Sequence, residues 1–64
     1  MEEALKLFGR IYPEATATAE KIDADAYLIT ADFSDGRFYF IVDLQENLVS
    51  SGKRDKESIL GAYL

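Results

Sequence analysis

The residues with chemical potential in this 64-residue chain are mostly carboxylates. Twelve Asp and Glu stand against seven Lys and Arg, and there is neither histidine nor cysteine. Zinc ligation by Cys and His is therefore ruled out, and so is the usual general base near neutral pH. Asp23-Ala24-Asp25 places two carboxylates on one side of a turn, with Asp32 and Asp43 available nearby in the sequence pattern. Such a set suits hard-oxygen binding of a divalent cation. Aspartates also cap turns and strand ends, because the short side chain bonds its own backbone. The stretch lacks the spacing, central glycine and closing glutamate of an EF-hand. We therefore assign no metal and no cofactor. Ser51-Gly52-Lys53 fails as a phosphate loop: Asn47 stands where the first glycine is needed, and Arg54 follows the lysine instead of Ser or Thr. The available nucleophiles are Ser, Thr, Tyr and Lys, with no histidine to activate them and no glycine-flanked serine elbow. The expectation is a protein that is not an enzyme.

Charge narrows the partners. The net charge is −5. Residues 13–46 carry Glu14, Glu20, Asp23, Asp25, Asp32, Asp35, Asp43 and Glu46 against Lys21 and Arg37, a local charge of −6. Residues 1–12 are neutral and residues 47–64 carry +1. Such a field disfavours nucleic acid and anionic membranes and favours basic partners. It also serves solubility. Lys53, Arg54 and Lys56, with Arg37 and Tyr39, are the alternative: a weak nucleic-acid contact at the start of the last helix. The first ten residues, MEEALKLFGR, begin acidic and contain no long apolar run. The reading is neither signal peptide nor membrane span, hence a soluble, cytoplasmic chain.

These side chains are positioned by the stretch Tyr27 to Val42, YLITADFSDGRFYFIV. Asp35-Gly36 lies between two alternating runs, a strong hairpin signal. With those two residues as the loop, the facing pairs are Ser34/Arg37, Phe33/Phe38, Asp32/Tyr39, Ala31/Phe40, Thr30/Ile41 and Ile29/Val42. One face then carries Tyr27, Ile29, Ala31, Phe33, Phe38, Phe40 and Val42. The other carries Leu28, Thr30, Asp32, Tyr39, Ile41 and Asp43. A three-residue loop would place Arg37 opposite Phe33 and break the pattern.

Around this hairpin the chain reads in order. Met1 to Tyr12 is an amphipathic helix with Ala4, Leu5, Phe8, Ile11 and Tyr12 on one stripe, ended by Pro13. Glu14 to Ile22 alternates Thr and Ala and is taken as a strand, although its Glu, Ala and Lys also suit a helix. Asp43 to Asn47 is a turn, followed by a short strand Leu48–Ser50 whose register the sequence leaves open. Lys53 to Leu64 is a second helix with Asp55 as N-cap and Ile59, Leu60, Tyr63 and Leu64 as its apolar stripe. Gly9 and Gly61 inside helical patterns suggest close packing. The expected fold is a single small α+β domain, 1–64: a two-layer arrangement in which an antiparallel β-meander of three to four strands, with a central hairpin at 26–43, packs against N-terminal and C-terminal helices.

If both helices cover the Phe face, the other face is an exposed, acid-rimmed apolar patch. Asp23, Asp25, Asp32, Tyr39, Ile41 and Asp43 are then the candidate partner-binding residues. The alternative is that a helix covers it. The function expected is a small acidic protein–protein interaction module, acting as an inhibitor on the basic, nucleic-acid-binding surface of a larger protein. In size and charge alone it is similar to small phage-encoded proteins such as anti-CRISPRs, which would make it a phage or mobile-element accessory protein. A homodimer or other homo-oligomeric module is the alternative.

Overall fold

The computed structural model describes residues 2–63. The elements are α1 (Glu2–Ile11), β1 (Thr16–Asp23), β2 (Ala26–Phe33), β3 (Gly36–Asp43), β4 (Leu48–Val49) and α2 (Lys56–Tyr63). The four strands form one antiparallel meander in the order β1-β2-β3-β4. This is the α+β fold expected, and 16–23 is a strand. Met1 and Leu64, assigned above to the two helices, lie outside the described residues.

The hairpin differs from expectation in register. Phe33 faces Gly36, Asp32 faces Arg37, Thr30 faces Tyr39 and Ile29 faces Phe40. The loop is Ser34-Asp35, so the facing pairs move by two positions from those expected. Faces are unchanged, because side chains alternate with period two. The backbone explains the choice. An Asp35-Gly36 type I′ loop requires positive φ at Asp35 as well as at Gly36. Here Gly36 (φ 144°) and Asn47 (φ 57°) are the positive-φ positions among the described residues. Placing Gly36 just after the loop spares Asp35 that conformation. It also sets Arg37 opposite Asp32, and the Arg37 Nε donates to Asp32 Oδ1 at 2.7 Å.

The helices divide between the two faces. Ala4 and Phe8 of α1 are buried with Tyr27, Ile29, Ala31, Phe40 and Val42, and Leu5, Leu7, Tyr12, Ala17 and Ala19 pack around them. Phe8, Ile29 and Val42 are the largest fully enclosed side chains. Each contributes about 1.5–3 kcal/mol by leaving water, a large share in a domain this small. Ile11, expected on the buried stripe, is 51% exposed. α1 is only ten residues long, and Tyr12 takes the terminal packing position through ring contacts with Phe8 and Phe40, both at 5.1 Å. On the opposite face Ile59 of α2 is buried with Leu28 and Ile41, and Ile22, Tyr39 and Leu60 pack beside them. The face that would have been open is therefore partly covered by α2.

The expected tight packing at the helical glycines is absent. A Cβ placed on Gly9 or Gly61 meets nothing within 4 Å. Close approach occurs instead at Gly52, where a Cβ would lie 2.7 Å from Phe40 Cζ.

The last stretch of sheet is built by improvised pairing. β4 has two residues, with Val42 opposite Val49 and Asp43 opposite Leu48. Beyond it, Ser50 serves Ile41 twice: its N–H donates to Ile41 O at 2.9 Å, and its Oγ accepts from Ile41 N–H at 2.8 Å. Tyr39 and Lys53 then exchange two backbone bonds, of 2.7 and 2.9 Å. Lys53 is thus an extension of the sheet edge, and α2 begins only at Lys56. Asp55 precedes it, its carbonyl accepting from Ile59 N–H and its carboxylate from the Ser58 hydroxyl.

Candidate functional site

The six candidate partner-binding residues separate into two groups. Asp23, Asp25 and Asp43 come together at the end of the sheet that holds the β1–β2 and β3–β4 turns. They line one small hollow of about 110 Å³ with Ala24, Ala26, Gln45 and Tyr63. Turn geometry places them there. Asp23 Oδ1 accepts from Ala24 N–H at 2.8 Å, closing the first turn. Asp43 Oδ1 accepts from Gln45 N–H at 3.0 Å, opening the second. Leu44 N–H donates to Asp25 O at 2.8 Å, tying the two turns side by side. α2 then reaches this end, and the Tyr63 hydroxyl donates to Asp23 Oδ2 at 3.1 Å.

The electrostatics follow from those bonds. The Ala24 amide, and then the Tyr63 hydroxyl, hold the Asp23 carboxyl below the usual aspartate range. Tyr63 moves the other way. Its bond to Asp23, then partial desolvation, then the negative fields of Asp23 and Asp43, raise it above the ordinary phenol value. Among the described residues no three acidic side chains are grouped closely enough to hold a metal ion.

Asp32 lies at the far end of β2, six residues from Ala26 and so roughly 20 Å along the strand. Its carboxylate is held by Arg37, whose Nη2 also donates to Oδ2 at 3.2 Å. That bond is the main cause of its lowered pKa. The pair is exposed, so it orders two side chains more than it stabilises the fold. Tyr39, half-buried, packs against the Leu28, Ile41 and Ile59 cluster. Ile41 is 6% exposed beneath α2 and forms the floor of a groove, not an open patch.

That groove was not legible in the sequence. It measures about 280 Å³ between α2 and β3–β4, and Ile41, Leu48, Val49, Ile59 and Ala62 supply its apolar walls. Asp43 and Tyr63 line both this groove and the acidic hollow, so the two are continuous. Leu48 (57%) and Tyr63 (36%) are two of the exposed large hydrophobic residues. The signal available was the undecided register of Leu48 and Val49: Val49 packs on the Phe-face core, and Leu48 is left outside.

Of the basic residues, Arg37 is engaged by Asp32, and the Arg54 guanidinium lies over the Phe38 ring, 4.7 Å from its centroid. They therefore do not form a single free basic stripe with Lys53 and Lys56. No described helix is long and apolar enough to cross a membrane.

Comparison with protein-family models, with curated proteins and with solved structures found no match.

Proposed function

We propose that this protein is a small, non-enzymatic interaction module that docks on a basic surface of a larger protein. Where that surface normally binds nucleic acid, docking inhibits it. The observation that carries the reading is the continuity of an apolar groove with a triplet of carboxylates, Asp23, Asp25 and Asp43, through the shared Tyr63 and Asp43. Apolar centres with polar, charged rims are how stable interfaces are built. The apolar part supplies affinity, and the carboxylates supply orientation and encounter rate.

The test begins with affinity capture from the native host, followed by titration of the captured partner. Neutralising Asp23, Asp25 and Asp43 to Asn together should weaken that complex about tenfold or more and flatten its salt dependence. Leu48→Lys should weaken it without changing the fold. If both variants bind every captured partner as the parent does, the reading is lost.

A second reading, a homodimer, is favoured by the outer edge of β1, which no described strand pairs. Tyr39 and Ile41 of β3 bond outward to Lys53 and Ser50, whereas Leu44 bonds inward to Asp25. Even-numbered β3 residues thus face β2, and by the observed registers Leu28 and Thr30 of β2 face Glu20 and Thr18. Ala17 and Ala19 are left with backbone groups pointing outward along an eight-residue edge whose first four side chains are small and which has no proline. Two copies could pair there antiparallel about a two-fold axis.

A further inference from the structure

A second hollow lies on the other face, where the end of α1 meets the β2–β3 turn. It measures about 300 Å³ and is lined by Tyr12, Phe33, Phe38, Phe40, Asp35 and Gly52. Four aromatic rings and one carboxylate make an unusual wall. Tyr12 and Phe33 meet at 90° with centroids 5.7 Å apart, and Phe33 and Phe38 at 86° and 5.6 Å, so the rings pack edge to face on one another. Gly52 keeps one side free of a Cβ and lets the backbone lie against Phe40.

The electron-rich faces of aromatic rings attract organic cations, and a carboxylate at the rim adds to that attraction. The molecule already shows the preference. Its own Arg54 guanidinium rests over Phe38, 4.7 Å from the ring centroid and 3.1 Å from the position a Gly36 Cβ would occupy. A volume near 300 Å³ is at the small end for ligand sites, enough for one long side chain. We propose that this aromatic hollow receives an arginine side chain of a protein partner, beside the Phe38 ring that Arg54 already contacts from outside the hollow. That the arginine belongs to the basic partner proposed above rests on that reading. The preference of the hollow for a guanidinium does not.

The probe is N-acetyl-arginine methylamide, titrated into the protein with amide and aromatic NMR shifts as the readout. Its uncharged isostere, the citrulline derivative, is the control. The arginine probe should shift resonances of Phe33, Phe38 and Gly52, and citrulline should bind about two- to fivefold more weakly, as expected for an exposed cation–π contact. Arg54→Gln should tighten arginine binding by removing a neighbouring like charge. Asp35→Asn, which keeps a turn-forming side chain, should weaken it. Neutralising Asp23, Asp25 and Asp43 should leave probe binding unchanged, so loss of the docking reading and loss of this one are separable. Equal binding of arginine and citrulline would overturn the proposal and make the hollow simply apolar. Absence of shifts at these residues, or an Arg54→Gln protein that binds arginine no better, would also overturn it.

Discussion

At the scale of single residues, the glycines carry opposite instructions. Gly52 sits where a Cβ would press to 2.7 and 2.8 Å from Phe40, whose ring is packed against Phe8, Tyr12 and Phe33. Gly52→Ala should cost about 1–3 kcal/mol, the usual penalty of overpacking, measured by urea unfolding. Gly61 faces open space inside α2, so Gly61→Ala should gain about 0.5–1 kcal/mol from helix propensity. A second residue-level expectation concerns pH. Asp23 and Asp32 are both held below the usual aspartate range, Asp23 by the Ala24 amide first and Asp32 by Arg37. A depressed carboxyl contributes stability that is complete above its unfolded pKa and lost as pH falls through its lower folded value. Thermal stability should therefore hold to about pH 4 and decline below it. Tyr63→Phe should raise the Asp23 pKa towards, but not to, the ordinary range, because the Ala24 amide remains. Carboxyl-carbon NMR titration of Asp23 checks this.

At the scale of elements, α2 is held by little. It has eight residues and buries one side chain, Ile59, against Leu28 and Ile41. Ile59→Ala should cost about 2–5 kcal/mol. Hydrogen exchange should then show the amides of α2 exposed before those of β2 and β3. The same variant would cut back one wall of the groove, so a partner that uses the groove should lose affinity more than a stability loss alone explains. This element was legible in part. The spacing of Ile59, Leu60 and Tyr63 marks a helix and its buried side. Its late start was hidden, because Lys53 was spent on backbone pairing with Tyr39, a contact between residues fourteen apart that no local pattern encodes. The hairpin was legible in its faces and not in its register, since a shift of two positions leaves the period-two pattern untouched.

At the scale of the whole molecule, the two faces and two ends are different surfaces. One end gathers Asp23, Asp25 and Asp43 beside an apolar groove. The other carries the Asp32–Arg37 pair and the aromatic hollow. The outer β1 edge runs between the ends, and the homodimer reading is tested there. Ala19→Pro removes an outward N–H that no described strand uses, a position where an edge strand tolerates proline. If the edge self-pairs, light scattering should show a dimer mass for the parent chain and a monomer for Ala19→Pro, with unchanged circular dichroism. A monomeric parent at high micromolar concentration would dismiss the dimer and leave the docking module standing alone.

The amino-acid sequence determined what depends on near neighbours. Alternation in Tyr27 to Val42 assigned every side chain of the hairpin to a face. Thr and Ala alternation marked β1, and helical spacing marked α1. Composition excluded Cys and His chemistry outright. Tertiary structure decided which helix covers which face, because both are amphipathic and either could satisfy the Phe side. It also decided which carboxylates meet. Asp23 and Tyr63 are forty residues apart, and Asp32 matches Asp43 in type and face but lies at the other end of its strand. Residue type and periodicity say on which side of a sheet a group lies. Only the path of the chain, set by loop lengths and by where α2 packs, says at which end.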